Sequence, residues 1–538
     1  MRYDEAIAKD PYLKEYMQKL FSQSGRQPQY YENISRDLTG LKSANLIYPT
    51  AEHIYAHVFI EKEIRKYTVL EPPLTEKEDE LYKTVLEAIL DNAFMFDLPE
   101  KDEQLEPVLM KLYDMSVSTQ PLRTNLLERG FGIKKIRISG EDYIKFKYFL
   151  RRDIIGTGLL QPILSDGWIE DISSVGVENM YLIHRIFDAL ETNVKFKDKD
   201  VLNKYVKNLS ERIRKPVSIA RPIVDGTLPD GSRINIIYAD DVSLKGPSFS
   251  IRKFSTVPLS ISRIVSFGTV SPQMIAYLWI ALEYGMNVFV AGETASGKTT
   301  MLNAMLCFIN PDAKILTAED TPEVLPPHRV WQRLLTREVG PEESRVDMFT
   351  ILKAALRSRP NYIIVGEIRG KEGAVAFQAM QTGHSLMATF HASSVKKLIQ
   401  RLVGDPINIP ATFMDNLNIA MVFQSVYMKG NFLRRCISID EIEGFSEEAG
   451  GIITRQVFEW NASEDTHKFV GMNNSYILEE KIATKIGYED KRKIYEDMEL
   501  RTKIIEKICQ LKIFDYFELL DIVKKFYAGG VGALPFRL

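Results

Sequence analysis

Between Gly292 and Thr299 the chain reads Gly-Glu-Thr-Ala-Ser-Gly-Lys-Thr, which fits the pattern GxxxxGK[ST] at every fixed position. The residue types state the chemistry. Gly292 and Gly297 let the backbone turn sharply, so that several N–H groups converge on one anion. Lys298 carries a cation with the reach of β- and γ-phosphates, and Thr299 carries a hydroxyl of the kind that ligates Mg²⁺. The segment Gly292, Glu293, Thr294, Ala295, Ser296, Gly297, Lys298, Thr299 and Thr300 is therefore expected to cradle ATP with Mg²⁺. At ordinary residue frequencies a chain of this length holds about 0.01 such matches by chance, which makes a ligand-free glycine turn a poor alternative.

Holding phosphate does not hydrolyse it. Hydrolysis needs a metal and a group that orients or activates water. Two carboxylate positions follow apolar runs that read as strands: Glu319-Asp320 after KILTA, and Glu367 after YIIVG. Open α/β sheets bind ligands at the C-terminal ends of their strands. Glu367 is a candidate for holding Mg²⁺ through water or for polarising the attacking water, and Glu319 is its rival for the second role. For either alone, the ordinary alternative is a carboxylate on a surface turn. The Asp that commonly ends such a strand is absent, and Gly366 precedes Glu367. His384 and His391 flank a further apolar run in TGHSLMATFHASS. At this odd spacing along a strand they point to opposite faces and do not make a metal pair. His391, nearer the phosphate edge, is a candidate sensor of the γ-phosphate; the alternative is a satisfied structural histidine.

These groups need a scaffold. From Pro272 onward short apolar runs alternate with helical patterns: strands over Met286–Ala291, Lys314–Ala318, Tyr362–Val365 and Ser385–Phe390, helices over Lys298–Phe308, Asp347–Arg357 and Glu372–Gln381. That alternation predicts a parallel sheet covered by helices. Beyond Ser438 a hairpin and then helices to about Tyr527 are expected. The first 140 residues are polar and rich in helix formers, with an amphipathic helix over Glu76–Leu90, and are expected to form a mainly helical partner-docking region. Residues 141–256 mix helix and strand signals, as in an α+β domain, and residues 257–272 are expected to link it to the α/β domain of residues 273–538.

The composition is that of a globular protein: 538 residues, 45% apolar and 26% charged, with a formal net charge of −3. That balance gives no general attraction to nucleic acid, and no nucleic-acid partner is expected. The three cysteines are scattered and suggest neither a disulfide framework nor a zinc site. The N-terminus lacks a signal-peptide pattern, and no apolar run reaches the ~20 residues of a membrane span. A cytoplasmic protein, meeting membranes only through partners, is expected. Lysines and arginines crowd Gly132–Arg152. A solvated face is the default reading, and contact with an acidic partner or membrane headgroups the alternative.

The order of these motifs resembles the type II/IV secretion ATPase family, over roughly Leu159–Tyr427. GETASGKTT matches its phosphate loop, TAEDTPEV its acidic box, ALRSRPNYIIVGEIRG its second nucleotide motif and TGHSLMATFHA its histidine box. IEDI at Ile169–Ile172 and RPIVDGTLPDGSRI at Arg221–Ile234 also match, and the wording of Leu325–Phe349 is most similar to the archaellum motor ATPases. The resemblance implies a RecA-like P-loop NTPase domain behind an α+β N-terminal domain, assembled as a homohexamer at the cytoplasmic face of the membrane. It implies work on a filament through a polytopic membrane platform protein and other archaellum or pilus motor components. It further implies arginine fingers from the N-terminal domain, at the matching positions Arg221 and Arg233, with Arg369 on weaker grounds. Pilus assembly or protein secretion is the runner-up with the same chemistry. A nucleic-acid translocase and a nucleotide-binding scaffold without turnover are the competing classes.

Overall fold

The computed structural model describes residues 3–538 except 36–37, 39, 97–104, 121–132, 255–256, 338–341 and 429–430. The chain divides into two compact units, Met1–Phe254 and Ser255–Leu538.

The first unit is built on a ten-stranded sheet among its described residues. Three of its strands, Ser43–Ala51, Ile54–Glu61 and Ile64–Leu70, lie where the sequence suggests mainly helix. The third runs parallel to Asp188–Thr192, with Lys66 opposite Glu191 and Tyr67 opposite Thr192. This pairing joins the early strands to Ile169–Val175 and Ser248–Arg252 in one sheet that spans the expected boundary at residue 140. Helix does occupy its neighbours in sequence. Glu76–Asn92 starts at a capping box made by Thr75 and Glu78. The basic stretch before residue 152 is largely paired inside this unit, through Lys134–Asp91, Lys145–Glu78, Arg151–Glu106 and Arg152–Glu71 at 2.5–3.0 Å.

The second unit carries a nine-stranded sheet among its described residues. Its strands are β1 (Val288–Gly292), β2 (Ile315–Glu319), β3 (Trp331–Leu335), β4 (Tyr362–Ile368), β5 (Ser385–Phe390), β6 (Ile419–Met428), β7 (Asn431–Ser446), β8 (Gly451–Asn461) and β9 (Thr466–Phe469). The spatial order is β3-β2-β4-β5-β1-β6-β7-β8-β9. Neighbours from β3 to β6 are parallel, and β6 to β9 form an antiparallel meander. Among the described residues its α-helices of eight or more residues are α1 (Pro272–Glu283), α2 (Lys298–Met305), α3 (Met348–Ser358), α4 (Glu372–Gln381), α5 (Val395–Val403), α6 (Ile494–Gln510) and α7 (Tyr516–Gly529).

Central parallel strands bury both faces, so they read as unbroken apolar runs. In β1, Val288 and Val290 join the core with α1, α2, α6 and α7, while Phe289 and Ala291 join a second core with α3, α4 and α5. Helices therefore cover both faces, the RecA-like arrangement. The expected linker, residues 257–272, is partly core: Ile261, Ile264 and Val270 are buried with α1, and the Ser260 hydroxyl donates to the Phe514 carbonyl at 2.7 Å. Asn287, just before β1, donates to the Asn416 carbonyl and accepts from Leu386 N–H, fixing the start of β1 between β5 and β6. Near the far end of β7, the fully buried Glu441 accepts from the hydroxyls of Tyr277 (2.8 Å) and Ser475 (2.5 Å) and from Ile477 N–H (3.2 Å).

Candidate active site

The loop that leaves β1 is shaped by its glycines. A Cβ at Gly292 would lie 2.5 Å from the Phe423 carbonyl oxygen and 2.6 Å from Ser296 Oγ, so a side chain is excluded by backbone. Gly297 has φ 94°, the left-handed conformation that leads directly into α2. Ser296 is buried and donates to the Glu293 carbonyl at 2.8 Å. Lys298 Nζ donates to the same carbonyl at 2.7 Å. Thr299 is half-buried in the first turn of α2, while Glu293, Thr294, Ala295 and Thr300 are exposed. The first N–H groups of α2 thus face a concave loop, the geometry that receives phosphate at a helix N-terminus.

The sheet order puts the acidic candidates beside this loop, because β2, β4 and β5 end on the same edge as β1. Glu319, at the end of β2, is 1% exposed. Its Oε1 accepts from the N–H groups of Glu323 and Val324, each at 2.7 Å. Its Oε2 has no hydrogen-bond partner and lies 3.7 Å from Arg333 Nε on β3. Burial pushes this carboxyl up to about 7, against the two N–H groups and the guanidinium, which favour the ionised form. Gly366 makes room for it: a Cβ there would sit 3.2 Å from Glu319 Cγ. Asp320 is exposed and accepts from the Thr336 hydroxyl at 3.0 Å.

Glu367 is half-buried near the end of β4. Arg369 Nη2 donates to its Oε2 at 2.6 Å, and His391 Nε2 lies 3.2 Å from its Oε1. Burial raises this carboxyl, but Arg369, His391 and Lys298 together outweigh burial and hold it below its ordinary value. Burial lowers Lys298, with Glu367 opposing. Burial and then Lys298 lower His391, with Glu367 opposing. His384 stands at the other end of β5, 3.2 Å from the Thr382 hydroxyl, away from this group.

The structure therefore brings Lys298, Glu367, His391 and Arg369 together, with Glu319 close to Gly366. Two cavities open here. One of about 520 Å³ is lined by Gly292, Glu293, Thr294, His391, Lys397 and Arg401 among others. The other, about 510 Å³, is lined by Asp320, Asp347, Glu367 and Arg369 among others. Arg221 and Arg233 lie in the first unit, Arg221 exposed in a bridge with Ser218 and Arg233 opening the strand Arg233–Ile237. Among the described residues no cluster of three or more His, Cys, Asp or Glu forms a metal cage. A Thr hydroxyl with one carboxylate still fits Mg²⁺, which keeps most of its waters and takes phosphate oxygens as ligands. One contact that motif reading misses is Arg434 on β7, whose Nε donates to the Ala295 carbonyl at 2.8 Å. The only signal for it is a basic pair, Arg434-Arg435, inside a strand.

A family model described as type II/IV secretion system protein matches residues 158–422. An uncharacterized protein of Methanocaldococcus jannaschii, MJ0900, is 52% identical across 99% of this chain and 98% of its own length. A putative conjugal transfer protein of Mycobacterium tuberculosis, Rv3659c, is 27% identical over 47% of this chain and 74% of its own. Among solved structures, the ATPase DotB of Legionella pneumophila is 17% identical, with a TM-score of 0.39 over 66% of this chain and 86% of that one. Among the described residues no helix is long and apolar enough to cross a membrane.

Proposed function

We propose that the chain, which belongs to the type II/IV secretion system protein family, is an ATPase that hydrolyses ATP with Mg²⁺ to drive domain movement in a homohexameric motor of the archaellum. In this reading it assembles or rotates the filament through a polytopic membrane platform protein, docked from the cytoplasmic side. The supporting observation is one sheet edge that joins a formed phosphate loop to two carboxylates of opposite character, Glu319 and Glu367. The archaellum assignment itself leans on the wording of Leu325–Phe349, of which residues 338–341 lie outside the described residues.

The chain's own residues divide the work as follows. The loop from Gly292 to Thr299 binds the phosphates through backbone N–H groups, and Lys298 exchanges its bond to the Glu293 carbonyl for the β/γ-phosphate oxygens. Thr299 and, through water, Glu367 would hold Mg²⁺, which would supply charge to neutralise the phosphates. Glu367 stays ionised because three cations or dipoles face it. Glu319, poised near neutrality, takes the proton of the attacking water as its oxygen bonds the γ-phosphorus and the bond to the bridging oxygen breaks. His391, in contact with Glu367, reports whether the γ-phosphate is present. Arg221 and Arg233 supply charge to the transferring phosphoryl group as the ring closes.

Steady-state hydrolysis by the purified chain tests the chemistry. Lys298→Ala should lower turnover at least about 100-fold, and chelation of Mg²⁺ should do the same. Normal turnover in Lys298→Ala would remove the phosphate loop from the reaction. For the biological role, a host strain lacking this protein should lose swimming filaments and keep adhesive pili. Loss of pili or of protein export with filaments intact would transfer the assignment to the runner-up.

A further inference from the structure

The loop has a wall on the side away from Glu319. β1 pairs with β6 up to Gly292 opposite Phe423. Past that point β1 turns into the phosphate loop, but the β6–β7 ladder continues through Ser425 opposite Arg434 and Tyr427 opposite Phe432. Arg434 anchors this extension to the loop. Its Nε donates to the Ala295 carbonyl at 2.8 Å, and its Cδ lies 3.4 Å from where a Cβ on Gly297 would be.

Side chains alternate along a strand, and directly opposed residues share a face. Phe432, two residues from Arg434, and its partner Tyr427 therefore point to the face on which Arg434 meets the loop. Both are exposed to a degree unusual for aromatics, Tyr427 at 75% and Phe432 at 63%. They begin about 7 Å along the wall from the guanidinium's strand position, a separation on the scale of a ribose. A nucleotide whose phosphates occupy the loop carries its flat, apolar base at about this remove.

From this juxtaposition, and resting on the phosphate-loop reading, we infer that Tyr427 and Phe432 form the stacking platform for the purine base of the bound nucleotide. Arg434 spans the stretch between base and phosphates and fixes the loop's outer turn. Base–aromatic stacking depends on the π-face, which tripolyphosphate lacks. The inference thus separates two parts of one ligand.

The experiment uses the full-length chain with Mg²⁺ and two probes, adenylyl-imidodiphosphate and inorganic tripolyphosphate. The double variant Tyr427→Ala/Phe432→Ala should bind the nucleotide about 5- to 100-fold more weakly while tripolyphosphate affinity changes less than about twofold. Tyr427→Phe, which keeps the ring, should bind both as wild type does. Unchanged nucleotide affinity in the double variant overturns the inference, as does equal weakening of both probes. Unchanged affinity with fewer rings in sedimentation would reassign the pair to contact between copies. A wild-type chain that binds neither probe would sink the phosphate-loop reading itself, an outcome distinct from the others.

Discussion

Glu319 and Glu367 are the same side chain in two settings, and the settings decide what each can do. Glu319 loses its solvent, and two backbone N–H groups and a distant guanidinium offset that loss only in part, so its proton is held up to about pH 7. A base must be ionised to act, so kcat should fall as pH drops below about 7. Replacing Arg333 by Gln removes a charge that favours the carboxylate and should move this limb to higher pH; a limb that stays put would exclude Glu319 as its source. The same shift acts on folding. Because the folded value of about 7 lies above the ordinary 4.5, the stability it contributes is complete below about 4.5 and is lost as pH rises through about 7. At pH 8 the buried carboxylate should cost on the order of 3 kcal/mol. Glu319→Gln should therefore raise Tm at pH 8 and leave it nearly unchanged at pH 4.5, read by thermal unfolding. A Tm gain of equal size at both pH values would show that the substitution acts through packing. Spacing alone identified both carboxylates, but it left their roles open. Burial, the N–H groups of Glu323 and Val324 at Glu319, and the approach of Arg369 and His391 to Glu367 set protonation, and spacing shows none of these contacts. Gly366 shows the same limit. Its place before Glu367 is plain in the sequence, yet its reason, a close approach by Glu319 Cγ, is visible only in three dimensions.

At the scale of elements, the parallel half of the second sheet was legible because each central strand is an apolar run alternating with a helical pattern. β3 was not. Trp331–Leu335 lies at the sheet edge with a mostly exposed pattern, so no apolar run marks it. The early strands of the first unit escaped for the opposite reason: Ile54–Glu61 is buried on both faces, which erases the period-two alternation that marks a half-buried strand. Two glycines test how tightly the elements constrain the site. Gly292→Ala places a methyl group against backbone at 2.5 Å, so the loop must reshape, and ATP affinity should fall at least about tenfold. Gly366→Ala presses on a side chain that can give way. It should lower kcat through Glu319 while leaving ATP affinity within about twofold. Titrating a non-hydrolysable analogue and measuring turnover on each variant separates the two, and a binding defect in Gly366→Ala would contradict the assignment.

At the scale of the whole molecule, Arg221 and Arg233 belong to a unit without a phosphate loop, and their proposed part is one that only movement or a neighbouring copy can supply. Arg→Ala at the true finger should lower kcat by about 10³-fold with nucleotide affinity changed far less. If the finger acts between copies, mixing that variant with Lys298→Ala protein should recover activity, once a tagged pull-down shows mixed rings. Mixed rings without recovery would place the arginine within one copy, and unchanged kcat for both variants would remove them from the site. β7 joins the nucleotide loop to the helical segment Tyr476–Ala483. It carries Arg434, bonded to the loop, and Glu441, bonded to Ser475 and Ile477. β7 pairs with β6 from Asn431 through Glu441 and with β8 from Ser438 onward, with register shifts near Ile437 and Ile439, so it runs between these points as a tie-rod. A loop that tightens around phosphate must pull on the residues that Glu441 holds. Backbone amides of residues 475–483 should then exchange with deuterium more slowly when the nucleotide is bound, and Arg434→Ala should abolish that difference while Glu441 keeps its partners.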